Sequence, residues 1–287
     1  MRLPTRLSKR KADSHKGDYG RLLIVAGSAG FSGAAILSGH AALRSGSGLV
    51  TLVVPASINN VVIRKKTPEL MTLPLPDAGK GVFLSSSFSP IRKFADSCNV
   101  LLVGPGLGQA AGTRALAVKL VREILLPKVL DADGLNAFAG RPELMRPAGR
   151  WGLVITPHPG EMSRLTGLSV SKIQGSRKQT ASDFARKYCV TVVLKGYRTV
   201  VAGPDGRCYI NNTGNPGMAT AGAGDVLAGM LAAFIGQGLD CFTAAKFAVY
   251  LHGLAGDMAA AEKTKISLIA GDIIDKIPQA IKSILKV

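Results

Sequence analysis

Residues 220–229 read TAGAGDVLAG, a run of threonine, alanine and glycine around one carboxylate, Asp225. The residues that follow, Val226, Leu227, Ala228, Met230, Leu231 and Ala232, form an apolar helical pattern. Gly222 and Gly224 permit positive φ and close backbone approach. A helix opening behind them directs free N–H groups into the loop, which makes an anion hole suited to a phosphate or a developing phosphoryl charge. A carboxylate at this place has two readings. It caps the helix, which any small acceptor can do, or it sits beside a hydroxyl that attacks the phosphoryl group and acts as general base. A cap does not need glycines on both sides, and that favours the base.

Further candidate segments stand where apolar runs end. In TPHPGEMSRL (156–165), His158 and Glu161 are three apart around a Pro-Gly turn; the plain reading is a helix start with Glu161 in its first turn. LKGYRT (194–199) carries Lys195, which is either a solvated turn residue or a ligand for polyphosphate. GPGLG (104–108) is a turn in which Gly106 lets backbone approach a ligand. DADGLN (131–136) offers Asp131, Asp133 and Asn136, with Asp133 placed to cap a short helix over 134–139. Ala41 and Ala42 lie on a helical stretch, where packing and ligand contact are both open readings.

These segments need a frame. Short β-rich apolar runs occur at 21–27, 49–55, 99–104, 128–133, 152–157 and 190–196, with helical patterns at 33–45, 111–125, 171–188, 222–236, 241–261 and 271–285. Runs that are apolar on both faces and alternate with helices predict an open, doubly wound, mostly parallel sheet covered on both sides. At 199–211 two β runs flank Pro204-Asp205-Gly206, a hairpin signal. No repeat or linker is evident, and one domain over 1–287 is expected. Ligands bind at the carboxyl ends of strands in such sheets, where the glycine-rich and polar exits stand.

Composition narrows the class. Nearly half of the 287 residues are apolar, enough for a sizeable core. Cys98, Cys189, Cys208 and Cys241 are scattered without CxxC spacing, which speaks for reduced thiols in a cytoplasmic protein and against zinc. The start is basic but lacks the apolar segment of a signal peptide, and charges interrupt the greasy region 226–260, so no membrane association is expected. The net charge of +18 is spread along the chain, with one cluster over 9–16 that includes His15 and Lys16. Without interleaved aromatics it fits the steering of a small polyanion better than nucleic-acid binding.

Glycine loops and GAGD opening a late helix resemble the ribokinase-like small-molecule kinases. The set DSHKGDYGRLLIVAGSAGFSGAAILSGHAALRSGSGLVTL (13–52), GPGLG, DADGLN, TPHPGEMSRL, VLKGYRTVV and NPGMATAGAGDVLAGMLAAFI, in this order, is similar to the NAD(P)H-hydrate dehydratase family, from about Leu7 to Ile277. The resemblance implies a ribokinase-like fold and a metabolite-repair enzyme. Its reaction is dehydration of the S epimer of NADH or NADPH hydrate, with ADP, or alternatively ATP, as co-substrate and Mg²⁺ as cofactor. It implies that Asp225 is catalytic and meets the hydrated dinucleotide, together with Ala42, Gly106 and His158. Lys195, Gly196, Tyr197, Arg198 and Thr199, with Gly222 and Gly224, would bind the nucleotide, and Glu161 would hold Mg²⁺ through water. It also implies a homo-oligomer, in particular a tetramer, a basic arm near the cleft or a subunit contact, and a stand-alone chain that depends on a separate epimerase. The apolar helices 226–236 and 241–261 point to the oligomer too. Two rival readings are a ribokinase-like kinase of hydroxymethylpyrimidine or hydroxyethylthiazole, which would release a stable phosphorylated product, and a nucleic-acid-binding protein.

Overall fold

The computed structural model describes residues 1–285. Nine strands form one sheet: β1 (Arg21–Val25), β2 (Leu49–Pro55), β3 (Met71–Leu75), β4 (Val100–Val103), β5 (Lys128–Leu130), β6 (Leu153–Ile155), β7 (Thr191–Leu194), β8 (Val200–Ala202) and β9 (Cys208–Ile210). Their order is β3-β2-β1-β4-β5-β6-β7-β8-β9. The first seven are parallel, and β8 and β9 add an antiparallel edge. The strand order reverses between β1 and β4, which opens a crevice at their carboxyl ends.

Thirteen helices are present among the described residues. Before β4 come α1 (Thr5–Ser8), α2 (Ser32–Arg44), α3 (Ala56–Lys65) and α4 (Phe88–Ala95). Between β4 and β7 lie α5 (Ala111–Glu123), α6 (Asp133–Asn136), α7 (Arg146–Gly149), α8 (Pro159–Thr166), α9 (Val170–Gly175) and α10 (Arg177–Tyr188). The chain ends on α11 (Ala223–Gly236), α12 (Cys241–Lys263) and α13 (Ala270–Ile284).

Alternation along each strand sorts the core into two layers. Leu22, Ile24, Val50, Leu52, Val100, Leu102, Val129, Val154 and Val193 face α2, α11, α12 and α13. Leu23, Val25, Leu101, Val103, Leu130, Ile155, Val192 and Leu194 face α4, α5, α8 and α10. Strands buried on both sides explain the continuous apolar runs. α11 is buried almost throughout its length and is wedged between the sheet and its neighbouring helices. The apolar character of 226–236 and 241–261 is therefore used inside the monomer, and the ground it offered for an oligomer falls away.

The expected strands and helices are present; β2 matches its apolar run, and the other expected strands are shorter than theirs. The pattern at 171–188 is two helices. Ser176 between them adopts φ −140° and ψ 41°, which the side chain bonding back to the Lys172 carbonyl accompanies. Five elements went unread: α1, β3, α3, α4 and α7. β3 is an edge strand that carries Pro74 and is exposed or half-buried until Leu75, so it has neither alternation nor a greasy run. The hairpin is present, with Gly206 at φ +91° and the Gly203 N–H bonded to the Arg207 carbonyl.

The N-terminal arm lies away from the Asp225 cleft, the first of its two expected places. Arg6 donates to the Gln237 carbonyl and Arg10 to the Gly46 carbonyl, at the C-terminal ends of α11 and α2. Cations suit helix C-termini. Asp225 is at the other end of α11, which at 1.5 Å per residue is about 20 Å away. Among the described residues no helix is long and apolar enough to cross a membrane, and the four cysteines are unpaired.

Candidate active site

Asp225 is not a cap. Gly222 is the N-cap of α11, in the left-handed region at φ +87°, and no side chain caps the helix. The positive φ favours glycine, and a Cβ on Gly222 would lie 2.5 Å from Leu37 Cδ1, which would have to shift, and 3.1 Å from Ala270 Cβ. Asp225 lies within the first turn, and its carboxyl is raised to about 7, first by burial and then by the Asp131 carboxylate, against the opposing effect of Lys195. A carboxyl that is half ionised near neutrality, at the mouth of an array of free N–H groups, has the character of a general base.

Lys195 leaves β7 and turns inward rather than into solvent. Its Nζ donates to Asp131 Oδ1 at 2.7 Å and lies 3.8 Å from Glu161 Oε2. Burial opposes its charge, but Asp131, Glu161 and Asp225 outweigh burial and hold its pKa above the ordinary lysine value. A Cβ on Gly224 would be 3.5 Å from this Nζ, so the ammonium stands against the glycine loop. Asp131, at 1% exposure, also accepts from Thr156 Oγ1 at 2.6 Å. It is the residue that anchors the cation, and the adjacency of aspartates in DADGLN was its only signal in the sequence.

His158 caps α8. Its Nδ1 accepts from the N–H groups of Gly160 and Glu161, while Glu161 Oε2 accepts from the His158 N–H at 2.7 Å. With Nδ1 used as acceptor, the neutral imidazole carries its proton on Nε2. Glu161 is thus a capping-box residue and a partner of Lys195. Among the described residues no cluster of three metal-binding side chains is preformed.

A cavity of about 740 Å³ lies between the β7 exit, the β9–α11 connection, α11 and α12. Lys195, Gly196, Tyr197, Arg198, Thr199 and Gly224, expected to bind the nucleotide, line it; Gly222, Gly106, His158 and Glu161 are not among its lining residues. Its size is within the range of about 300–1,000 Å³ usual for small-molecule sites. Arg177, absent from the sequence reading, shapes its rim: Nη2 donates to the carbonyls of Leu194 and Lys195 from the first turn of α10. The opposite wall is pinned to α12 by Asp257, which accepts from the Gly214 N–H and the Asn215 amide, and a Cβ on Gly253 or Gly256 would collide with Thr213 or Met218.

Gly106 lies at the β4 exit, in the crevice beside β1, with φ +62°. A Cβ there would be within 2.9 Å of Phe31. Asp133 is not a helix cap: Ala132 holds that place, and the Asp133 carboxylate accepts from the Gly108 N–H and the Gln109 amide, fixing the GPGLG loop. Ala42 is fully buried in the core between α2 and its neighbours, so the expected contact with a ligand gives way to packing. The result is a cavity at Lys195–Thr199 with the charged group Lys195, Asp131, Glu161 and Asp225 at its inner end, while Gly106 and His158 stand at neighbouring strand exits outside it.

A family model described as NAD(P)H-hydrate dehydratase matches residues 22–279. The bifunctional NAD(P)H-hydrate repair enzyme of Moorella thermoacetica is 44% identical over 281 residues, 98% of this chain and 52% of that protein. The chain spans about half the length of the curated bifunctional relatives it matches. The ADP-dependent (S)-NAD(P)H-hydrate dehydratase of Neisseria meningitidis is 37% identical over 95% of this chain and 88% of its own. Among solved structures, the ADP/ATP-dependent NAD(P)H-hydrate dehydratase of Bacillus subtilis, co-crystallised with ATP and Mg²⁺, aligns with a TM-score of 0.82 at 32% identity, covering 97% of this chain and 94% of that one. The expected ribokinase-like architecture is borne out by the same comparisons.

Proposed function

The chain belongs to the NAD(P)H-hydrate dehydratase family, and from that premise we propose that it dehydrates the S epimer of NADH or NADPH hydrate at the expense of ADP, giving NAD(P)H, AMP and phosphate. The observation that carries this reading is the uncapped, partly protonated Asp225 carboxyl between an anion hole and a buried lysine. Hydroxide leaves carbon poorly, and a phosphate ester leaves well. Asp225 takes the proton of the C6 hydroxyl as that oxygen attacks the terminal phosphorus of ADP and the bond to AMP breaks. The N–H groups of the α11 start and the Lys195 ammonium meet the charge on the moving phosphoryl group. The ring nitrogen then expels phosphate from C6, and loss of a C5 proton restores the double bond.

Nucleotide in the cavity and hydrated dinucleotide in the crevice, reached by Gly106 and by the Nε2–H of His158, bring both reacting groups to Asp225. Three carboxylates, Asp131, Glu161 and Asp225, face one ammonium, an excess of negative charge that fits a divalent cation. Glu161, through water, and Asp131 would hold Mg²⁺, which supplies charge neutralisation to the phosphates when bound. ATP is the alternative donor. The relative from Neisseria meningitidis supports ADP by its name.

Other proposals follow the family premise. The protein acts in the cytoplasm on small molecules, with unpaired cysteines in support, and an epimerase activity supplies the S epimer. A homo-oligomer, specifically a tetramer, finds support in Ile266 and Ile269, which are exposed next to the cavity wall. The function is tested by mixing protein, Mg²⁺, ADP or ATP, and hydrated NADH, and following the dihydronicotinamide absorbance together with AMP. A stable phosphorylated product without recovered NADH would support the vitamin-precursor kinase instead.

A further inference from the structure

Arg177 opens α10 in a place that does not suit a cation. It is the first residue of the helix, behind the Ser176 N-cap, and the positive end of a helix repels positive charge. The residue is half-buried, and burial lowers its pKa with no opposing charge nearby. Among the described residues no carboxylate pairs with it; Nη1 donates to the Gln174 amide oxygen at 2.8 Å. Nε is buried and has no partner at all. Buried charges are ordinarily paired and buried donors satisfied. The stability of α10 therefore does not account for an arginine here.

The other end of the fork shows what it does. Nη2 donates to the Leu194 carbonyl at 2.8 Å and to the Lys195 carbonyl at 3.2 Å, where β7 ends and the chain turns toward β8. A Cβ on Gly196 would stand 3.2 Å from Nη1 and 3.3 Å from Nη2, so the guanidinium lies flat against this glycine, which is at φ +135°. From the opposite side the Lys195 N–H donates to the Pro157 carbonyl at 2.8 Å. Both peptide groups of Lys195 are thus held, one by the β6 exit and one by Arg177. That fixes the direction in which the Lys195 side chain leaves the strand, and the side chain reaches Asp131 with its Nζ 2.7 Å from Oδ1. The turn beyond is a conformation the chain resists, since Arg198, a residue with a side chain, sits at φ +54°. Charge-assisted bonds are about twice as strong as neutral ones, which gives a reason for a cation rather than an amide at its start.

We propose that Arg177 is a positioning residue for Lys195: by clamping the Leu194 and Lys195 carbonyls behind the strand exit, it aims the Lys195 ammonium at the nucleotide phosphates. It does not line the cavity and acts through Lys195. This rests on the cavity being the nucleotide site.

The test uses Arg177→Met, which keeps the stem and removes every donor, and Arg177→Lys, which keeps the charge and one donor group. ADP binding by calorimetry and steady-state kcat, KM for ADP and KM for hydrated NADH are measured for both. Met should weaken ADP about 10-fold, the worth of a charge-assisted bond, and lower kcat, while KM for hydrated NADH stays within about twofold. Lys should recover most of the loss and still bind ADP about 2–3-fold more weakly than wild type. When Met is added to a protein that already carries Lys195→Ala and Asp131→Asn, its effect on ADP affinity should nearly vanish, because the group it positions is gone. The same factor in both backgrounds overturns the proposal, since Arg177 would then support the loop without regard to Lys195. Unchanged ADP affinity in the Met variant overturns it too, as does an equal rise in KM for hydrated NADH, the mark of a general loosening. Should Met fail to fold, a Lys variant that binds ADP like wild type overturns it. Absence of ADP binding by the wild-type protein would instead remove the nucleotide site itself, and with it the role of Lys195 that Arg177 serves.

Discussion

At the residue scale, the two readings of Asp225 separate by experiment as they do by geometry. Asp225→Asn should still bind ADP but lose about 10²-fold or more in turnover, the usual worth of general acid–base catalysis. In the wild type, kcat/KM should fall as pH drops below about 7, where the carboxyl protonates. Near-normal turnover by the Asn variant would sink the assignment. Stability has its own sign. The folded pKa is raised above 3.8, so the stabilising share of this group is complete below about 3.8 and is lost as pH rises through about 7. The Asn variant should therefore gain on wild type at pH 8 in urea unfolding and lose that margin toward pH 4. Lys195 is harder to isolate, because its removal strands Asp131. Breaking such a buried pair costs about 3–5 kcal/mol. Lys195→Ala should be strongly destabilised, and adding Asp131→Asn should return much of the loss while ADP binding remains weak. Wild-type ADP affinity in the double variant would show that Lys195 does not serve the phosphates. Glycine loops and charged strand exits made Asp225 and Lys195 legible in the sequence. Asp131 had only the adjacency of aspartates in DADGLN, and Arg177 and Asp257 had no signal, because their partners at the site lie 17 or more residues away, as in the Arg177–Leu194, Asp131–Lys195 and Gly214–Asp257 bonds.

At the element scale, the site depends on how closely α11 lies on α2. A Cβ on Gly229 would stand 2.1 Å from the Ser38 carbonyl oxygen, backbone that cannot swing aside. Gly229→Ala should thus push the helices apart, costing about 1–3 kcal/mol as overpacking usually does, and should carry Asp225, one turn upstream, out of place. Turnover should fall by more than ADP affinity, since the Lys195–Thr199 rim belongs to a different element. A variant that melts and turns over like wild type would refute the close approach. The parallel strands and long helices were legible because burial on both faces leaves unbroken apolar runs and a clear helical period. β3 and α3 were not: an edge strand with proline and a helix that exposes Val61 and Ile63 carry no such pattern. The late helices show the converse error. Greasiness on every side marks a helix enclosed by its own fold, as α11 is, as readily as one that seeks a partner.

At the scale of the whole molecule, charge sets a problem that the site does not solve alone. Asp131, Glu161 and Asp225 against Lys195 leave the junction negative, yet both proposed substrates are polyanions. The remainder of the chain supplies the opposite field, with 36 Lys and Arg against 18 Asp and Glu, a net +18. A basic surface raises the local concentration of anions and the rate of encounter, while the α11 N–H groups receive the phosphate at short range. The two contributions differ in reach. Salt screens the first over a Debye length of about 10 Å at 0.1 M and leaves buried contacts nearly untouched. Raising ionic strength from about 0.05 to 0.5 M with an inert salt should therefore lower kcat/KM for hydrated NADH and for ADP several-fold, with kcat almost constant. Neutralising the arm cluster Lys9, Arg10 and Lys11, about 20 Å from Asp225 along α11, should remove only a small part of that slope, because the field arises from the whole surface. A salt-independent kcat/KM would mean that the positive charge serves something other than substrate capture, and would return weight to a polyanionic macromolecule as its partner.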